Sequence, residues 1–308
     1  MTKIQMTAQA QFDLRQALHV ATLDALLASR RWLPGELIFQ GGTSLHLAHG
    51  SPRFSEDLDF LVHSTLNLEV IGQIIQERLA ETAWLPSETS LTVTKANPDR
   101  NPHTFVVAVS GPNVIGSVRV KVELWQASKN AMSPLRVIVA PVKLASGPNA
   151  GAQAFVPTAD LNEIYTNKVF AVGARRYMKP RDLFDLNFIL GKEPNFVVTE
   201  ADLRVRLATY PNESPDTWLE KARLRADALP LQVQVVTSEL RRWLPSSWPM
   251  DMAAATKMIE TSVKALSQGI GVMEAISIKD TASGAFKSKF QDLTRDALGS
   301  EHPGRQRG

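Results

Sequence analysis

Asp57 and Asp59, one residue apart in Ser55-Glu56-Asp57-Leu58-Asp59-Phe60, have the type and spacing in this chain that point most directly to chemistry. On a β-strand successive side chains alternate sides, so the two carboxylates share one face while Leu58, Phe60 and Val62 share the other. Like charges this close raise each other's pKa and disfavour double ionisation unless a cation neutralises them. A hard divalent ion, Mg²⁺ with Mn²⁺ as the alternative, prefers carboxylate oxygen and keeps positions open for water and a substrate phosphate. Alone, an Asp-x-Asp is also a common solvent-facing strand end. A third acid turns the pattern toward a metal edge. Glu123 stands on a run in which Val118, Val120, Val122 and Leu124 take one face and Arg119, Lys121 and Glu123 the other. It approaches Asp57 and Asp59 if the two strands are neighbours.

The glycine pair of Gly41-Gly42-Thr43-Ser44 precedes the acids. Without Cβ atoms the two glycines let backbone amides come close to a ligand. With Thr43 as N-cap and Ser44 at a helix start they make a cradle for triphosphate oxygens, although an ordinary strand-to-helix turn has the same composition. The lysine and spacing of a Walker A loop are missing. Arg53 and Ser55 stand where they could contact phosphate or orient the metal edge, and an ion pair of Arg53 with Glu56 explains the arginine equally well. His46 and His49 lie one helical turn apart but lack a third ligand at zinc spacing. The run Lys221-Ala222-Arg223-Leu224-Arg225 is the best candidate for gripping nucleic-acid phosphates and also reads as a solvated helix face. Trp218, Trp243 and Trp248 read as core or interface anchors.

The elements that must position these residues follow from hydrophobic period and turn signals. Apolar residues at helical spacing predict a helix over 7–31, ending near Pro34-Gly35, and a strand over 37–39 then runs into the glycine pair. A brief helix from Thr43 stops at Gly50-Ser51-Pro52, the Asp-bearing strand spans 57–62, and a helix covers 67–83. Strands are predicted over 104–109, 117–124 and 135–142. The loop 147–151 marks a boundary, beyond which helices are predicted near 159–173, 180–190, 200–208, 216–227, 230–243 and 251–267. The expected organisation is α+β over 1–150, a mainly α-helical domain over 151–298, and a flexible tail over 299–308.

Composition narrows the classes. A chain of 308 residues has room for two domains. Cysteine is absent, which rules out disulfides, a thiolate zinc site and a cysteine nucleophile. No apolar stretch is long enough for a transmembrane helix, and the N-terminus lacks a signal-peptide core, so no membrane partner and a cytoplasmic location are expected. The net charge of +3 permits a nucleic-acid partner without requiring one.

The run Phe39-Gln40-Gly41-Gly42-Thr43-Ser44-Leu45, followed by Arg53-Phe54-Ser55-Glu56-Asp57-Leu58-Asp59-Phe60, resembles the first motif of the AbiEii/AbiGii-type nucleotidyltransferase toxins, within the DNA polymerase beta-like superfamily. Val120-Lys121-Val122-Glu123 resembles the strand that supplies a further acid there. Lys168, then Arg175, Arg176, Arg181, Asp182, Leu183 and Asp185, resembles the later lysine and Arg-Asp-x-x-Asp-Leu blocks. The likeness spans about residues 36–190, and the final third offers no motif to match.

The resemblance implies a polymerase beta-like nucleotidyltransferase fold with a mixed sheet. It implies Mg²⁺ held by Asp57 and Asp59 with Glu123 assisting or acting as base, and a nucleoside triphosphate as donor. It also implies essential roles for Lys168 and Asp182 in holding the nucleotide or orienting the acceptor. By the residues alone, Asp182 could serve merely at a helix N-terminus, and Asp185 could be the functional acid or pair with Arg181. The family further implies an RNA acceptor, with the 3′ end of tRNA expected, growth arrest, and a cognate antitoxin that need not touch the toxin, in a phage-defence setting. Two other readings keep the fold: transfer to a small molecule such as an antibiotic, and a non-catalytic nucleotide- or partner-binding protein. The three acids and Lys168 argue against the latter.

Overall fold

The computed structural model describes residues 4–80, 85, 88–97, 100–143 and 153–299. In chain order the first elements are β1 (Ile4–Gln5), α1 (Ala8–Ala28), β2 (Leu37–Gln40), α2 (Gly41–Leu47), β3 (Asp57–His63) and α3 (Leu68–Ala80). Then come β4 (Ser90–Asn97), β5 (His103–Ser110), β6 (Val114–Ile115), β7 (Ser117–Ala127), α4 (Lys129–Met132), β8 (Val137–Lys143) and β9 (Gln153–Ala159). The rest is helical: α5 (Leu161–Ala174), α6 (Pro180–Lys192), α7 (Glu200–Thr209), α8 (Pro215–Ala228), α9 (Val233–Leu240) and α10 (Met252–Gly299). Residues 300–308 of the expected tail and residues 147–151 of the expected boundary loop lie outside the described residues.

Seven strands form one mixed sheet in the order β4-β5-β7-β3-β2-β9-β8. β3 runs parallel to β7 and β2 parallel to β9, while the other neighbours are antiparallel. The alternation predicted for β3 and β7 decides the layers. Leu58, Phe60 and Val62, with Val118, Val120, Val122 and Leu124, are buried in one cluster with Leu18 and Leu23 of α1 and Ile71 and Ile75 of α3. Leu61 instead joins Ile38 in a second cluster with Val169 of α5, Leu183 of α6 and Trp218 of α8. Asp57 and Asp59 are in phase with Leu61, so the carboxylates face the helical half.

That half is held by local chemistry and one large anchor. Asp160 caps α5 by accepting from the Glu163 amide, Pro180 and Pro215 occupy first turns, and Thr199 with Asp202 forms a capping box on α7. Trp218 is fully buried, stacks on Phe170 at 6.0 Å and donates its indole N–H to the Phe170 carbonyl at 2.9 Å. α5 and α10 come close to it because Gly173 and Gly269 carry no Cβ. An added methyl would lie 2.5 Å from the indole at Gly173, and 2.9 Å from Val169 at Gly269.

α10 continues to Gly299, well past the expected end at 267, the short β1, β6 and α4 were not expected, and three further differences have a local cause. α2 starts at Gly41, so Thr43 is an interior helical residue whose hydroxyl donates to the Asp57 carbonyl rather than an N-cap. β9 was concealed by Pro157, which argues against a strand beside a central neighbour. In the structure Pro157 stands opposite Val139 in the ladder with β8, while the pairing with β2 is confined to Phe39 opposite Thr158. β4 was concealed because Leu91 and Val93 are its only large apolar side chains, as suits an edge strand.

Candidate active site

The parallel register of β3 and β7 sets Asp57 opposite Lys121 and Asp59 opposite Glu123. Asp57 and Asp59 are half-buried. Burial, reinforced by the Glu123 and Asp57 carboxylates, pushes the Asp59 carboxyl up to about 7, and Asp59 shares a hydrogen bond with Glu123. Burial also raises Asp57, with Lys121 pulling against it. Lys121 is ion-paired to Glu123; burial disfavours its charge, but that pair and the nearby aspartates outweigh it and raise its pKa. Among the described residues neither Asp57 nor Asp59 has an ion-pair partner, so the edge holds more negative charge than it neutralises.

β2 meets this edge at the glycine pair. Gly41 has φ of +82°, and a Cβ there would lie 2.3 Å from Asp59 Oδ2. A Cβ on Gly42 would lie 2.2 Å from Arg53 Nη2 and 3.1 Å from Ser55 Oγ. The first glycine thus makes room for the carboxylate and the second for a guanidinium. Gly42, Thr43 and Ser44 are buried behind Gly41.

A second charged cluster lies beneath. Arg53 binds Asp185 through two bonds, Nε to Oδ1 at 2.7 Å and Nη2 to Oδ2 at 2.9 Å. Lys168 Nζ reaches both Asp182 Oδ1 and Asp185 Oδ2 at 2.7 Å, and Arg175 Nη1 donates to Asp182 Oδ2 at 2.5 Å. Burial alone would push Asp182 up, but Lys168 and Arg175 hold it well below the usual carboxylate range. Asp185 is lowered likewise, burial being overcome by Arg53 and Lys168. Lys168 is raised because the two aspartates outweigh burial. Three cations on two carboxylates leave one positive charge. Arg53 therefore pairs with neither Glu56 nor a surface group, and Arg181 is 4.2 Å above the Trp243 ring instead of at Asp185.

A cleft of about 490 Å³ joins the two clusters. Gly41, Asp59, Glu123, Lys168 and Arg175 line its polar side, and Trp125, Phe170 and Tyr210 its apolar side. Tyr210 lies 5.1 Å from Trp125 and 5.8 Å from Phe170, ring centre to ring centre. Of the residues singled out in the sequence, Asp59, Glu123, Gly41 and Lys168 meet in the cleft, whereas Asp57, two residues before Asp59 on β3, is not among its lining residues. Asp182, Arg53, Gly42, Thr43 and Ser44 are buried behind it, and Ser55 lines a different cleft. The aromatic wall was not singled out. Trp125 was findable, being two residues beyond Glu123 on the same face of β7, whereas Tyr210, at the end of α7, carries no local signal.

Other candidates are engaged elsewhere. His46 contacts Gln16 and the Ser51 carbonyl, and His49 contacts the Ala159 carbonyl, so both imidazoles have structural partners. Lys221 and Arg223 pair with Glu213 and Glu274, and Arg225 donates to the Arg175 carbonyl. Those cations serve the helical packing.

Among the described residues no three acidic or imidazole side chains form a ready metal cage. The donor set of Asp57, Asp59 and Glu123 nonetheless fits a hard divalent cation: all donors are oxygen, and the elevated Asp59 reports charge that a cation would relieve. Among the described residues no helix is long and apolar enough to cross a membrane.

A mixed sheet that sets acids of two parallel strands against a glycine turn, with a cationic cluster across the cleft, defines a nucleotidyltransferase. Residues 24–254 match the family described as nucleotidyl transferase AbiEii toxin, type IV TA system, and the chain belongs to that family of toxin–antitoxin enzymes. The family implies a nucleoside triphosphate substrate and an antitoxin. Among solved structures, MenT4, a nucleotidyltransferase toxin from Mycobacterium tuberculosis, shares 20% identity at a TM-score of 0.51, over 85% of this chain and 86% of that one. JHP933 from Helicobacter pylori shares 18% identity at a TM-score of 0.48, over 88% and 99%. No curated protein matches the sequence.

Proposed function

We propose that this toxin transfers a nucleotidyl group from a nucleoside triphosphate to a hydroxyl of RNA, the 3′ end of tRNA being the expected acceptor, and releases pyrophosphate. The observation that carries this reading is the shared cleft, in which the under-neutralised Asp59–Glu123 pair faces the net-positive Lys168 and Arg175 cluster. Asp57, Asp59 and Glu123 are the residues that would hold Mg²⁺, or Mn²⁺ in its place. Such an ion, once bound, neutralises phosphate charge and polarises the α-phosphorus.

The chain's own residues do the rest. Lys168 and Arg175 attract the triphosphate, and the Gly41 turn lets it approach the strand end. Trp125 and Tyr210 offer aromatic faces to the base. The acceptor oxygen forms a bond to the α-phosphorus as the bond to pyrophosphate breaks, and the hydroxyl proton passes to Glu123. Arg53, Asp182 and Asp185 hold Lys168 in place. RNA as acceptor rests on the likeness of the motifs to the toxin family. In this reading the enzyme works in the cytoplasm, the transferase unit runs through β9, and the helical unit starts at α5.

The test is incubation of purified protein with total RNA and each labelled nucleoside triphosphate, with and without Mg²⁺. Mg²⁺-dependent labelling of RNA is expected, reduced at least about a hundredfold in Asp59→Ala. Labelling at the wild-type rate in that variant overturns the role of the edge, and labelling that needs no RNA overturns the acceptor.

A further inference from the structure

A second cleft, of about 680 Å³, is lined by Phe54, Ser55 and Glu56, the segment that leads into Asp57. α1 contributes Phe12, Arg15 and Gln16, the segment before β3 contributes Phe54, and the segment after α9 contributes Arg242 and Trp243. Phe54 and Trp243 are tied together through the Phe54 amide, which donates to the Trp243 carbonyl at 2.8 Å. Phe12 packs on Phe54 at 4.3 Å, so the floor is aromatic. Two arginines and one acid stand on its rim: Arg15 makes a long contact with Glu56 at 3.6 Å, and Arg242, largely exposed, pairs with Glu239 at 3.2 Å. Arg181 covers Trp243 and is close enough to Asp57 to influence its charge.

Aromatic rings interleaved with arginines are what a single-stranded nucleic acid needs: faces on which successive bases stack, and cations for the intervening phosphates. A small hydroxylated molecule offers neither. We propose that this cleft binds the acceptor, the unpaired end of an RNA strand. Its bases stack over Phe12 and the face of Trp243 away from Arg181, its phosphates meet Arg15 and Arg242, and its terminal hydroxyl is led along Phe54-Ser55-Glu56 toward Asp57 while the nucleotide occupies the Asp59 side. The assignment rests on the transfer-to-RNA reading and adds where and how the strand is held.

The test measures binding of a labelled single-stranded RNA oligonucleotide, and separately of a labelled non-hydrolysable nucleoside triphosphate, to the full chain. The Arg15→Gln, Arg242→Gln double variant should lose RNA affinity about tenfold and reduce the slope of log affinity against log salt by about 1.4. Trp243→Leu should lose about fivefold or more. Nucleotide affinity should stay at the wild-type level in both. The arginine variant decides if Trp243→Leu fails to fold, because Arg15 and Arg242 are at the surface. Wild-type RNA affinity in the arginine variant overturns the cleft assignment and leaves the transfer reading intact. Failure of the wild type to bind or label RNA, with transfer to a small hydroxylated acceptor, overturns both.

Discussion

The molecule holds two clusters of acids a few residues apart in space, and they are built on opposite principles. At the β3–β7 edge, Asp57, Asp59 and Glu123 have one lysine, Lys121, engaged with Glu123, and the aspartates are raised. Beneath it, Asp182 and Asp185 are more deeply buried, yet both are lowered, because Lys168, Arg53 and Arg175 surround them. Burial works against the charge in both places, so the difference lies in the partners. A cluster that neutralises itself is a clamp, and one left short of cations is a site that a ligand completes.

Removing a carboxylate from each cluster gives the largest contrast. Asp185→Asn strips two cations of a fully buried partner and should cost about 3–5 kcal/mol, read from the urea midpoint. Asp59→Asn removes repulsion instead, and its midpoint should equal or exceed that of the wild type while transfer is lost. Equal destabilisation by the two substitutions would erase the distinction.

A smaller effect is expected where the edge meets the glycine turn. Gly41→Ala places a side chain at φ of +82° and a methyl against Asp59 Oδ2. The backbone term is about 1–2 kcal/mol. Displacement of Asp59 should add a loss of transfer of about a hundredfold, more than the lower melting temperature explains. A variant with full activity would show that the close approach does not matter.

The finest test uses pH, in metal-free protein. Asp59 binds its proton more tightly folded, at about 7, than at its ordinary value of 3.8, so between these the folded state carries more protons and stability falls as pH rises. Asp182 and Asp185 show the opposite sign. Their contribution is present above the ordinary carboxylate value and is lost as pH falls through it toward their lower folded values. The buried histidines His19, His46 and His49 are lowered and push stability upward over the same range, but they are common to both proteins, so the wild-type urea midpoint should fall relative to that of Asp59→Asn from about pH 4 to pH 7. The same pH dependence in both proteins would remove Asp59 as a source.

Much of the site was legible because it is local. The two-residue period of β3 put Asp57 and Asp59 on one face, and that of β7 put Glu123 on the face away from its buried valines, as the strands confirm. The glycine pair was legible as a turn, but its reason was not: Asp59 and Arg53 fill the space a Cβ would take. Thr43 suggested a cap by type alone, and the helix starts two residues earlier. Pro157 hid a strand because proline's missing amide counts against a ladder, yet β9 pairs with β8 along its whole length and with β2 at a single position.

The sequence by itself determined which side chains share a face and where the chain turns, since both follow from backbone geometry over a few residues. It also carried the family, through motifs that keep their order along the chain. Tertiary structure alone decided which charges meet. Arg53 and Asp185 are 132 positions apart, and Lys168 reaches Asp182 and Asp185 only because α5 packs on α6. Coulomb energy depends on distance in space, so whether an acid is paired and silent or unpaired and reactive was set when the helices closed over the sheet.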